Sequence, residues 1–92
     1  MKLPMKDSKH EWTVDDVLFV CMSLGAAYNQ ANEKGAKTLA NTAKRKLKSF
    51  VFKHVAVCKL AADKFKSMTD DERSEFVRTY EPSAAIEKEL KM

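Results

Sequence analysis

The sequence has few residues that interrupt helices, and it has no long apolar run. Its 92 residues include two glycines and two prolines, and no alternating series of β-branched residues is long enough to predict a strand. The longest apolar stretch, Val17 to Tyr28, is interrupted by Ser23 and spans about a dozen residues, whereas a membrane-spanning helix needs about 20. We therefore expect an all-α protein that does not cross a membrane.

Cysteine is equally sparse, and the N-terminal residues lack the apolar segment of a signal peptide. Residues 1–10 carry three lysines without an apolar core or a cleavage-like site, so we expect a cytoplasmic protein. Cys21 and Cys58 show no CxxC spacing, and both fall on apolar helical faces. This pattern favours free, reduced thiols over a disulfide or a metal site, and nothing in it indicates a cofactor.

The predicted architecture is a long helical hairpin within one domain, residues 1–92, with residues 1–11 as a flexible N-terminus. Thr13 can cap a first helix, residues 14–32, which is apolar on more than one side. Gly35 suits the turn that follows. The apolar positions of residues 36–68 then keep one helical phase, which predicts a single unbroken helix of about 50 Å.

Two short helices are predicted after the hairpin. Thr69 and Glu72 have the spacing of a capping box, so a helix should begin there. It should end near Glu81, because Pro82 disfavours helical geometry in the residue before it. Ser83 can cap a last helix. The fold is then a small bundle, and we expect oligomerisation to complete it.

Charge is distributed unevenly along the chain. Residues 34–66 contain ten basic residues and one acid, Asp63, whereas the rest of the chain contains seven basic and twelve acidic residues. Projected on the second helix, a group of basic residues with one asparagine lies away from the core face: Lys37, Asn41, Lys44, Arg45 and Lys48. Lys59 and Lys66 continue this side further along the helix.

This basic face has three interpretations. It can be a solvated helix surface, a site for nucleic acid or nucleotides, or a contact for acidic protein, including a neighbouring copy. No glutamate is interleaved with these lysines at i+4, where it would pair with them, and this lack favours an anion-binding role. Tyr28, close to the predicted turn, either stacks on a base or belongs to the core.

A second apolar patch interrupts the outer side of the second helix, at Phe52, Val55 and Leu60. Large apolar side chains rarely stay uncovered in water, so something should cover them. The cover is either the predicted helix with Phe76, Val77 and Tyr80, a second copy, or a foreign partner. The patch therefore supports an alternative function, that of a small regulator or inhibitor, such as a phage-encoded antagonist, that docks on another protein.

The hairpin also predicts the neighbours of His54 and Cys58. In a simple antiparallel register, His54 lies level with Asp15 and Asp16 and can hydrogen-bond to one of them or to Thr13. The same register separates Cys21 from Cys58 by about 15 Å along the axis, too far for a disulfide. No phosphate loop, HExxH or GxSxG motif is present, so we expect a non-enzymatic binding protein.

Overall fold

The computed structural model describes residues 11–91 and confirms the all-α class. Within these residues the chain forms helices and no strand. The prediction of a flexible N-terminus lies outside the described residues except for Glu11. The helices, in chain order, are α1 (Val14–Glu33), α2 (Lys37–Lys53), α3 (Val55–Ser67), α4 (Asp70–Thr79) and α5 (Ala84–Leu90).

The predicted helix ends are confirmed where local side-chain chemistry determines them. Thr13 caps α1, accepting a hydrogen bond at 3.1 Å from the backbone N–H of Asp16. Thr69 caps α4 in the same way, and the Glu72 carboxylate accepts from the Thr69 N–H at 2.8 Å. Gly35, between α1 and α2, has a φ of 73°, a left-handed conformation that glycine adopts without strain.

The prediction of one unbroken helix over residues 36–68 is wrong, because the chain bends at His54. This residue has a φ of −131° and a ψ of 45°, and it separates α2 from α3. The cause is tertiary. The 20 residues of α1 extend about 30 Å, so a straight helix of about 50 Å would continue beyond it. The bend lets α3 pack on α1 as well. The regular spacing of apolar residues along the sequence cannot reveal a break of only one residue.

The core is built around α1, whose apolar residues face several helices at once. Val17, Leu18, Val20 and Leu24 are almost completely buried. Three other helices each contribute one buried side chain to the same cluster: Phe50 from α2, Ala61 from α3 and Ile86 from α5. A helix that is apolar on more than one side thus becomes the central helix of the bundle.

The C-terminal helices cover one side of α1. The ring of Phe19 stacks on Tyr80, with centroids 4.9 Å apart, and lies 6.5 Å from Phe76. The Tyr80 hydroxyl donates a hydrogen bond to the carboxylate of Asp16, which is buried. α4 therefore packs against α1 and not over the Phe52 patch.

Candidate functional site

The basic face predicted from the sequence lies on α2. All of its members are exposed: Lys37, Asn41, Lys44, Arg45 and Lys48. At about 100° per residue they occupy an arc of about 100° on the helix. The buried Ala40, Ala43 and Phe50 anchor the other side of α2 to the core. Because those anchors determine which side of α2 faces the core, the cations on the opposite side project together into solvent.

No ion pair within residues 11–91 involves the four cations of this face. The basic residues that do pair with an acid there belong to α3 and α4, namely Lys64, Arg73 and Arg78. Cations that lack anionic neighbours repel one another and attract external anions. The α2 basic face, Lys37 to Lys48, is therefore a surface of unneutralised positive charge.

Lys59 and Lys66 do not continue this face, because they follow the bend. Both lie on α3, where they border a groove between α1, α2 and α3. The groove has a volume of about 870 Å³. Leu18, Met22 and Gly25 of α1 form part of its surface, together with apolar residues of the two other helices: Leu47, Val51, Val55 and Phe65.

The sequence did not predict this groove, although it contained part of the signal. Leu18 and Met22 lie on the second apolar side of α1, which was expected to be buried. Leu18 is buried and Met22 is half-buried, and both also face the groove. The space between the helices depends on the bend at His54, and that bend leaves no mark in the apolar pattern.

The apolar patch predicted as an interaction surface is open to solvent. Phe52 is 82% exposed, Leu60 57% and Val55 47%. The patch spans the bend, with Phe52 near the end of α2 and the other two residues on α3. Of the covers expected from the sequence, the helix carrying Phe76 and Tyr80 is excluded within residues 11–91, because its rings pack on Phe19.

Tyr28 lies on α1 and is half-buried. It does not belong to the main cluster of core residues, and no ring pair within residues 11–91 includes it. Its hydroxyl makes no hydrogen bond to any described residue. Its role in stacking on a ligand stays a prediction.

The predicted separation of the two cysteines is wrong. The thiols of Cys21 and Cys58 are neighbours on the groove surface, because the bend at His54 brings α3 alongside α1. Burial and the adjacent Cys58 thiol raise the pKa of Cys21 to about 12. Burial also raises the pKa of Cys58. Both thiols are therefore protonated at neutral pH and are poor nucleophiles.

The predicted hydrogen bond of His54 is also wrong. Its imidazole packs between aromatic rings, 4.6 Å from the Phe50 ring and 5.2 Å from the Trp12 ring, measured between centroids. Asp15 instead pairs with Lys64, and Asp16 accepts from Thr13 and Tyr80. Burial lowers the pKa of His54, which favours the neutral imidazole.

No protein-family model matches the chain, and neither does any curated protein or solved structure. Within residues 11–91 no helix is long and apolar enough to cross a membrane. No three or more His, Cys, Asp and Glu side chains of that region are grouped as a metal site would require.

Proposed function

We propose that this chain is a non-enzymatic binding protein whose α2 basic face engages a phosphate-rich anion. The observation that carries the proposal is the group of four exposed cations on one helix face, none of them paired with an acid among the described residues. A phosphate backbone would neutralise this face and release counterions, which is the main source of sequence-independent affinity for nucleic acid.

The length of the face favours a polymer over a single nucleotide. Lys37 and Lys48 are separated by about 16 Å along the helix axis. Over that distance duplex DNA presents roughly nine phosphates. One nucleotide can meet only a part of the face, whereas a nucleic-acid strand or duplex can meet all four cations together.

The surroundings of the face favour recognition of the backbone over recognition of bases. Phe52 is the one aromatic residue of α2 that projects near the cations, and Phe50 is buried in the core. Single-strand binders use several aromatic rings as stacking platforms. We therefore expect weak sequence preference and strong dependence on salt.

Two double variants with equal change of charge test the proposal. Lys44→Gln with Lys48→Gln removes two cations from the basic face, and Lys46→Gln with Lys53→Gln removes two cations from another side of α2. Fluorescence anisotropy with a labelled 20-base-pair DNA should show about tenfold weaker binding for the first variant and a much smaller loss for the second. Equal losses would mean that net charge alone matters, and unchanged affinity in both would refute the proposal.

A second candidate function rests on a different observation, the exposure of Phe52, Val55 and Leu60. As a small regulator or inhibitor, the protein would dock through this patch on a partner whose apolar contact is surrounded by acidic side chains, because both flanks of the patch are basic. Native mass spectrometry of the protein from its expression host distinguishes the two functions. Retained nucleic acid would support the first function, and a bare monomer would favour the second.

A further inference from the structure

Gly25 lies in the middle of α1, at the surface of the groove, where the chain itself gives no reason for a glycine. Glycine is among the least favourable residues in a helix interior, and one of its uses is to let another group approach the backbone closely. A Cβ built on Gly25 would meet no atom within 4 Å. The missing side chain therefore leaves space in the groove and serves no close packing within residues 11–91.

The groove has the size and surface of a small-molecule site. Its volume of about 870 Å³ falls within the range of about 300 to 1,000 Å³ found for ligand pockets. Its surface is mainly aliphatic, with Leu18 and Met22 on one side and Leu47 and Val51 on another. An alkyl chain placed there would leave water for an apolar surface.

The charged side chains at the groove are all positive. Lys59, Lys66 and Arg73 border it, and no acidic residue is among the described residues that line it. Arg73 is held in place, since its guanidinium lies 3.9 Å from the centre of the Phe65 ring and donates to the Phe65 carbonyl at 2.7 and 3.1 Å. Lys59 and Lys66 are exposed and have no acidic partner within residues 11–91.

We propose that this groove binds an amphipathic anion with a long alkyl chain, of the fatty-acid class. The alkyl chain lies over Gly25 between α2 and α3, and the carboxylate pairs with Lys59 or Lys66. This site is separate from the α2 basic face, and the proposal does not depend on nucleic-acid binding.

Decanoate below its micelle concentration is the first probe, with 1-decanol and butyrate as comparators. Titration followed by amide NMR shifts should show saturable binding of decanoate at the groove. Binding should be severalfold weaker for 1-decanol, which has the chain without the charge, and absent for butyrate, which has the charge without the chain. Shifts confined to Phe52 and Leu60, or no saturation, would overturn the proposal.

Variants that fill the groove provide the stricter test. Gly25→Leu should improve the helix propensity of α1 and weaken decanoate binding by about tenfold or more. Ala26→Phe fills the same space from an exposed position, in case the first variant folds poorly. Ala56→Leu adds bulk to the exposed surface of α3 outside the groove and should change nothing. Undiminished decanoate binding by folded Gly25→Leu and Ala26→Phe would contradict the proposal that decanoate binds in the groove.

Charge and thiol accessibility give two further measurements. Lys59→Gln with Lys66→Gln should weaken decanoate severalfold and leave 1-decanol unchanged. Alkylation of Cys21 and Cys58 by N-ethylmaleimide should be slow in the free protein, because both thiols are protonated. Bound decanoate should slow it further, because both thiols line the groove. Equal loss for the two ligands, or unprotected thiols at saturation, would count against the proposal.

The acyl chain could come from a free acid or from a phospholipid. Vesicles of phosphatidylglycerol separate these sources. Co-sedimentation that Gly25→Leu abolishes would assign the chain to a lipid, whereas decanoate binding without co-sedimentation would assign it to a free acid. Co-sedimentation that is unaffected by Gly25→Leu, with no binding of decanoate, would refute the groove as the site.

Discussion

The central helix α1 and the pair α2 and α3 differ in how much of their surface the fold uses. Most of the N-terminal half of α1 is buried, from Val17 through Val20 and again at Leu24. α2 and α3 bury few residues, namely Ala40, Ala43, Phe50 and Ala61, and expose most of their lysines. The comparison shows that burial is concentrated in α1, whereas most of the outer surfaces of α2 and α3 is exposed to solvent.

The largest expected effect on stability comes from truncating a buried leucine of α1, compared with truncating an exposed leucine of α3. Leu24→Ala removes a side chain that is 1% exposed and should lower the free energy of unfolding by about 2–5 kcal/mol. Leu60→Ala, on α3 and 57% exposed, should change it by less than about 0.5 kcal/mol. Urea denaturation followed by circular dichroism measures both. Similar losses would mean that the surface of α3 is covered in solution.

A smaller effect is expected where α4 meets α1. Tyr80→Phe removes the hydroxyl that donates to the buried Asp16 carboxylate, and should cost about 1.5–3 kcal/mol. Tyr28→Phe is the matched control, because the Tyr28 hydroxyl makes no hydrogen bond to a described residue. Urea denaturation at pH 7 should show a loss for the first variant and almost none for the second. Equal losses of unfolding free energy in the two variants would contradict the hydrogen bond between Tyr80 and Asp16.

The same contact predicts how stability changes in alkaline solution. Burial, followed by the hydrogen bond to Asp16 and the nearby carboxylate charges, raises the pKa of Tyr80 from 10.0 to about 12. Its contribution is fully present below pH 10 and is lost as the pH rises through about 12. Free energies of unfolding measured between pH 9 and 12 should therefore fall more steeply in the wild type than in Tyr80→Phe. The same pH dependence of stability in the wild type and in Tyr80→Phe would argue against Tyr80 as the group whose ionisation destabilises the fold.

Protonation of His54 should have the smallest effect on stability, and this effect is expected in mildly acidic solution. Burial lowers the pKa of His54 below 6.5, so the unfolded chain binds a proton more readily than the folded chain. Stability from this residue is present above pH 6.5 and is lost as the pH falls through the lowered value, with a slope below about 1.4 kcal/mol per pH unit. Urea titrations between pH 5 and 8 should show a shallower decline in His54→Phe. An unchanged decline would exclude His54 as its source.

Sequence-based prediction succeeded where a local interaction determines the structure. Thr13, Thr69 and Gly35 act within a few residues of their own positions, so their effects on helix ends could be predicted. The exposure of Lys37 to Lys48 followed from the helical phase of the core residues on α2.

The errors concern relations between helices. The bend at His54 has no proline or glycine to reveal it, and it results from packing against the shorter α1. The same bend changed the register, and the cysteines became neighbours as a result. The groove and its relation to Gly25 could not be predicted, because they exist only after three helices have taken their places.

The salt dependence of DNA binding tests the central claim most directly. If Lys37, Lys44, Arg45 and Lys48 contact phosphates, the logarithm of the affinity should fall with the logarithm of the salt concentration with a slope of about −3 to −4. Lys44→Gln with Lys48→Gln should make that slope shallower by about 2, and Lys46→Gln with Lys53→Gln should leave it nearly unchanged. A slope near zero, or equal slopes in the two variants, would contradict binding through the α2 basic face.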